Sequence, residues 1–89
     1  MADGMVGPPA SQVIETEIEG EISLYDPASE QVTILNGTAS DVWLLCDGGH
    51  SIEEIKDLLA ASYGTTRESV SEDVERTITE FRTAGLLEA

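Results

Sequence analysis

Apolar and acidic side chains alternate from residue 13 onward: Ile14, Thr16 and Ile18 are interleaved with Glu15, Glu17 and Glu19. After Gly20 the alternation resumes as Ile22 and Leu24 against Glu21 and Ser23. A period of two is the pattern of half-buried strands, one face inward and one outward. Two such strands are predicted, joined at Glu19-Gly20, where glycine supplies the positive φ of a short hairpin. Asp26-Pro27-Ala28-Ser29 has Asp and Pro at the first two positions of a β-turn and reverses the chain again. A third strand follows over residues 31–35, and Asn36-Gly37 breaks it.

Beyond that break the apolar spacing becomes helical. Ala39, Val42, Trp43 and Cys46 stand at i, i+3, i+4 and i+7 behind Thr38, which with Asp41 is expected to cap a short first helix ending before Gly48-Gly49. Ser51 and Glu54 form an S-x-x-E capping box ahead of Ile52, Ile55, Leu58 and Leu59, which predicts a second helix reaching Tyr63-Gly64. Thr65 and Glu68 repeat the capping signature before a longer third helix. Val70, Val74, Ile78 and Phe81 are its buried stripe, Gly85 its C′ residue, and Leu86-Leu87 dock the tail. The fold class is therefore α+β, a three-stranded antiparallel sheet followed by three helices with short connections. Gly4, Gly7, Pro8 and Pro9 crowd the start of the chain, so residues 1–12 are expected to be a disordered tail and residues 13–89 the folded domain. Three strands have two edges and few residues to cover them, so at least one edge should offer unpaired N–H and C=O groups to a peptide.

Charge narrows the partners. In 89 residues, 18 acidic side chains face only Lys56, Arg67, Arg76 and Arg82, a net charge of −14. Nucleic-acid phosphates and anionic lipids would be repelled. A three-helix unit beside a small sheet also describes a winged helix-turn-helix, but a third helix bearing Glu68, Glu72, Asp73, Glu75 and Glu80 does not suit DNA. One cysteine gives no disulfide framework, and the first dozen residues have neither the basic nor the apolar region of a signal peptide. A cytoplasmic protein is expected.

Candidate catalytic groups each have a simpler explanation. Cys46 and His50 lie four apart, but Gly48-Gly49 interrupts any helix between them, and no second Cys or His completes a zinc site. Glu53, Glu54 and Asp57, like Glu68, Glu72 and Glu75, fall on polar helix faces where nothing separates their pKa values. No enzyme activity, metal or cofactor is expected. Gly48-Gly49-His50-Ser51-Ile52 resembles the GGHSL signature of peptidyl carrier proteins, whose serine takes a phosphopantetheine arm. The alternative function is thus a carrier modified at Ser51. Carriers are all-helical, however, and the alternation over residues 13–35 argues against one.

Several pieces occur together in a telling order: Leu24-Tyr25-Asp26-Pro27, Ile34-Leu35-Asn36-Gly37-Thr38-Ala39, Cys46-Asp47-Gly48, Ser51-Ile52-Glu53-Glu54-Ile55, Asp73-Val74 and Gly85-Leu86-Leu87. Over about residues 22–88 this set resembles the PqqD family, the recognition elements of ribosomally made, post-translationally modified peptides. A free-standing copy of this size is similar to the leader-binding component of a lasso-peptide pathway. The resemblance implies a winged-helix-like domain that takes the leader segment of a precursor peptide as an added strand. The strand would lie beside Gln31, Val32, Thr33, Ile34 and Leu35 and against the flank of the third helix carrying Asp73, Thr77, Glu80, Phe81 and Ala84. It further implies delivery to a leader peptidase, a transglutaminase-like cysteine protease, and to an ATP-dependent macrolactam synthetase.

Overall fold

Residues 5–88 are described by the computed structural model, in the order β1 (Ile14–Ile18), β2 (Glu21–Asp26), β3 (Gln31–Ile34), α1 (Gly37–Leu45), α2 (Ile52–Tyr63) and α3 (Arg67–Thr83). The sheet is antiparallel with β2 in the middle. Glu19 and Gly20 turn β1 into β2 with φ of 53° and 84°, the paired left-handed conformations of a two-residue hairpin loop. Asp26 organises the next reversal: its side chain accepts from Ala28 N–H at 3.0 Å, and its carbonyl from Glu30 N–H at 2.7 Å.

β2 is two-faced as its alternation predicts, with Ile22 and Leu24 buried beneath the helices. β1 departs from the expectation. All five of its residues are exposed, and its register sets Ile14 opposite Tyr25 and Ile18 opposite Glu21. Its isoleucines therefore share the sheet face turned away from the helices, while Glu15 and Glu17 stand opposite Leu24 and Ile22. The physical reason is lateral position. α1 packs on β2, and β1 extends beyond that cover. Only Glu15 is tied in, accepting a 2.8 Å hydrogen bond from the Trp43 indole N–H.

Two helix starts also shift from their expected residues. Asn36 rather than Thr38 caps α1, its Oδ1 accepting from Ala39 N–H at 2.8 Å. Thr66 rather than Thr65 caps α3, while Thr65 shares a hydroxyl hydrogen bond with Ser69. In both cases the residue with extended backbone immediately before the first helical residue makes the bond, as N-cap geometry requires. The α2 start is as predicted: Ser51 and Glu54 exchange both capping-box bonds, and Gly64 ends the helix in the left-handed conformation at φ 67°. Gly85, at φ 75°, follows the C-cap of α3. The core lies between β2 and the three helices, where Trp43 meets Phe81 edge to face at 5.2 Å among Val42, Ile55, Leu59, Val74 and Ile78. Lys56 clasps α2 to α3, buried and bonded to Glu75 at 2.5 Å.

The N-terminal segment is the largest correction. Residues 5–12, expected within a disordered tail, are fastened to the domain; residues 1–4 of that tail lie outside the described residues. Val6 is fully buried, and its main chain donates to His50 O and accepts from Gly48 N, both at 2.8 Å. Pro8 O accepts from Glu88 N, and Ala10 N donates to Leu86 O, again at 2.8 Å. Gly7 is required at φ 86°, because a Cβ there would sit 2.2 Å from Cys46 O. The strap ties the α1–α2 loop to the C-terminus through main-chain bonds that composition does not reveal. Burying one valine contributes about 1.5–3 kcal/mol. Deleting residues 1–10 should accordingly lower the urea-unfolding free energy by about 2 kcal/mol, whereas removal of a detached tail would leave the midpoint where it was.

Candidate functional site

A groove runs between β3 and α3, and its shape follows from how β3 is paired. Leu35 N–H donates to Ile22 O at 2.8 Å. Ser40 completes that pair from α1: its hydroxyl accepts from Ile22 N–H at 3.2 Å and donates to Leu35 O at 3.4 Å. Bonded pairs in an antiparallel ladder recur at every second residue. With Thr33 opposite Leu24 and Gln31 opposite Asp26, the main-chain groups of Thr33 and Gln31 turn toward β2. Those of Val32 and Ile34 turn outward. No strand lies on that side among the described residues, so two N–H and two C=O groups are available there.

Beside this edge the groove floor is apolar. Leu35, Phe81 and Leu86 form it, all less than 5% exposed, and Thr77 adds a nearly buried hydroxyl-bearing side chain. Thr33, Ile34, Asn36 and Ala39 line one wall, Ala84 the other, and Glu80 supplies the single charge among the residues around it. Small side chains at positions 39 and 84 keep the trough open. Phe81 joins groove to core, since its ring rests on Trp43.

Of the residues expected from the sequence, Thr33, Ile34, Leu35, Thr77, Glu80, Phe81 and Ala84 come together around this groove. Gln31 and Val32 lie farther along β3 on the same edge. Asp73 does not line the groove; it sits about a turn before Thr77 on α3 and is bonded to Arg76 at 2.7 Å. Asn36, Ala39 and Leu86 line the groove without having been singled out for it: Asn36 caps α1 just after β3, Ala39 lies in the first turn of α1, and Leu86 lies just beyond α3.

The other candidate groups are structurally occupied. Cys46 is fully buried and donates to Val42 O at 3.2 Å, and burial pushes its thiol up to about 12. His50 pairs with Asp47 at 3.0 Å rather than with Cys46. The Gly49 N–H and then His50 hold the exposed Asp47 carboxyl below the usual range. Ser51 is engaged in its capping box, and strands occupy the region where a carrier protein would be helical.

This geometry defines a class: a small α+β domain with an open strand edge beside an apolar helix-lined groove. The chain belongs to the PqqD family, whose model, described as coenzyme PQQ synthesis protein D, matches residues 21–87. Two solved structures are similar to it. One is TbiB1 in complex with the TbiA(β) leader peptide, 26% identical, covering 91% of this chain and 94% of that one at a TM-score of 0.81. The other is a lasso peptide synthetase B1 complexed with the leader peptide, 20% identical, covering 92% and 96% at a TM-score of 0.79, a likeness of fold. No curated protein matches the chain.

The buried thiol has a measurable consequence. Below the ordinary cysteine pKa of about 8.5 both states keep the proton, and the stability that burial confers on the neutral thiol is fully present. Above it the unfolded chain ionises while the folded chain does not until about 12, so stability should fall through that window. Urea titrations between pH 8 and 11 should show this slope in the wild type and a shallower one in Cys46→Ala. Iodoacetamide at pH 8 should label Cys46 only in unfolded protein.

Proposed function

We propose that this chain is a non-catalytic adaptor that captures the leader of a ribosomally synthesised precursor peptide by strand addition and presents the remainder to processing enzymes. The observation that carries this reading is the outward-facing main chain of Val32 and Ile34 beside the apolar groove on α3. It is supported by membership of the PqqD family and by the fold shared with two proteins solved with leader peptides. Strand addition uses main-chain bonds that are indifferent to sequence, so selectivity has to come from side chains that settle into pockets. In this reading an apolar or aromatic leader side chain fills the trough over Phe81 and Leu86. Small Ala84 and Ala39 admit it, and Glu80 favours a basic neighbour. The enzymes served are a leader peptidase of the transglutaminase-like cysteine protease type and an ATP-dependent macrolactam synthetase, in the cytoplasm. No helix among the described residues is long and apolar enough to cross a membrane.

The test is titration of the domain with a synthetic leader from the precursor of the same pathway, followed by calorimetry and by emission of Trp43, the single tryptophan, which rests on a residue of the groove. Val32→Pro removes one outward N–H and leaves the β2–β3 ladder intact, and proline is tolerated on an edge strand. Loss of one net hydrogen bond, about 1 kcal/mol, should weaken leader binding about fivefold with little change in unfolding midpoint. A domain that binds no leader, or a Val32→Pro variant that binds as well as the wild type, would remove strand addition as the mode. With a basic leader, association should also slow steeply between 50 and 500 mM salt, because the net charge of −14 attracts it only over a Debye length.

A further inference from the structure

Leu86 belongs to the floor of the groove, yet it lies in none of the three strands or three helices. α3 ends at Thr83, and the chain turns out of the helix at Gly85 with φ 75°. Two different parts of the molecule then hold Leu86. Its N–H donates to Phe81 O at 3.0 Å, which ties it to the last turn of α3. Its carbonyl accepts from Ala10 N–H at 2.8 Å, and two residues on, Glu88 N–H donates to Pro8 O at the same distance. These two bonds form an antiparallel bridge centred on Pro9 and Leu87. The Glu88 carboxylate adds a further tie, accepting from Ser11 N–H at 3.1 Å. One side of the groove floor is thus fastened by the N-terminal strap.

The strap is itself fixed on either side of that bridge. Val6 is fully buried in the core and makes two 2.8 Å main-chain bonds to the α1–α2 loop, while Met5 bridges Ser51 at the start of α2. On the other side the nearly buried Ala10 accepts from Val13 N–H at 3.1 Å, just before β1 begins. None of residues 5–12 lines the groove. Without the strap, Leu86 would keep its bond to Phe81 and its side-chain packing, but residues 86–88 would lose their main-chain partners. A peptide closing over Leu86 would then have to order them as it binds. Fixing the backbone of one residue costs enough to change an affinity about tenfold, so a floor set in advance strengthens binding without touching the ligand. We infer that the N-terminal strap is a positioning element of the peptide groove: residues 8–11 hold Leu86 in place for a leader side chain that they do not contact. This rests on the adaptor reading above and deepens it, giving the peptide site a supporting part remote in sequence from β3 and α3.

Two lesions test the strap. Deletion of residues 1–10 removes it, and Gly7→Ala, whose Cβ would collide with Cys46 O, unseats it in the full-length chain and serves where the deletion does not fold. Ile55→Val is the control, a destabilising change in the core on α2, which does not line the groove. Each is made in the wild type and in Leu86→Ala, and each folded variant is titrated with fluorescent synthetic leader from the precursor of the same pathway. Leader affinity should fall about tenfold with either strap lesion and stay within about twofold in Ile55→Val. In the Leu86→Ala background the strap lesions should cost less than about twofold more, because the residue they act through is gone. Hydrogen exchange of the amides at positions 86 and 88 should quicken in the strap variants and slow again when leader binds. Unchanged leader affinity in the strap variants would overturn the inference. So would an equal loss in the Leu86→Ala background, or a loss as large in Ile55→Val, which would make the effect one of general stability. Failure of the wild type to bind leader would instead overturn the adaptor reading.

Discussion

The pairing of Ile22 with Leu35, closed on one side by a main-chain bond and on the other by the Ser40 hydroxyl, sets the phase of the β2–β3 ladder. Because antiparallel bonds alternate, that phase decides which residues of β3 face inward and which face solvent. Shifting it by one residue would turn Val32 and Ile34 toward β2 and leave Thr33 facing outward. The same serine belongs to α1, so the helix that covers the core also fixes the register of the edge. α3 reaches this edge through the packing of Phe81 on Trp43. Groove, edge and core are thus three aspects of a single packing arrangement, and a peptide in the trough would lean on the residue pair that holds the domain together.

An open edge is normally a liability for a soluble protein, since it invites pairing with any extended chain. Two features limit the hazard here. β3 is only four residues long, so few bonds can form without side-chain anchors, and the sheet half is uniformly acidic. Copies of the chain repel one another, while a cationic peptide is drawn in. The cations are used elsewhere: Lys56 bonds to Glu75, Arg67 pairs with Glu53 and Asp57, and Arg76 pairs with Asp73, all on α2 and α3. The exposed pairs of Arg67 and Arg76 add little stability. Their placement matters more through what it leaves uncompensated, which is the field over β1 to β3.

How much of this was legible in the residues differs by element. The order of strands and helices follows from the change in period at Asn36-Gly37, and the capping box at Ser51 and Glu54 located α2 at its first residue. The groove flank on α3 was readable because Thr77, Glu80 and Ala84 lie beside the stripe of Val74, Ile78 and Phe81 on a helical wheel. β1 was misread for a physical reason. Strict alternation distinguishes two faces but does not say which one is covered, and on an edge strand beyond the helices the apolar face can be the outer one. The strap over residues 5–12 was hidden because Gly and Pro there signal absence of helix and strand, not absence of packing. Only Val6 and Ala10 bury side chains, and the rest is held by main-chain bonds to the α1–α2 loop and the C-terminus.

The misread strand and the apolar outer face are the same observation seen twice. Had Ile14 and Ile18 taken the phase of Glu15 and Glu17, they would still stand beyond the cover of α1, and the outer face of β1 would be acidic. Their outward position leaves apolar area in water that an ordinary edge strand would cover with threonine or charge. Glu15 shows that the opposite orientation is structurally useful, since it satisfies the Trp43 indole at the margin of the core. Glu17, on the same face, has no comparable requirement for its neighbours to be isoleucine. The demands of the fold therefore account for the glutamate phase of β1 but not for the choice of isoleucine on the other phase.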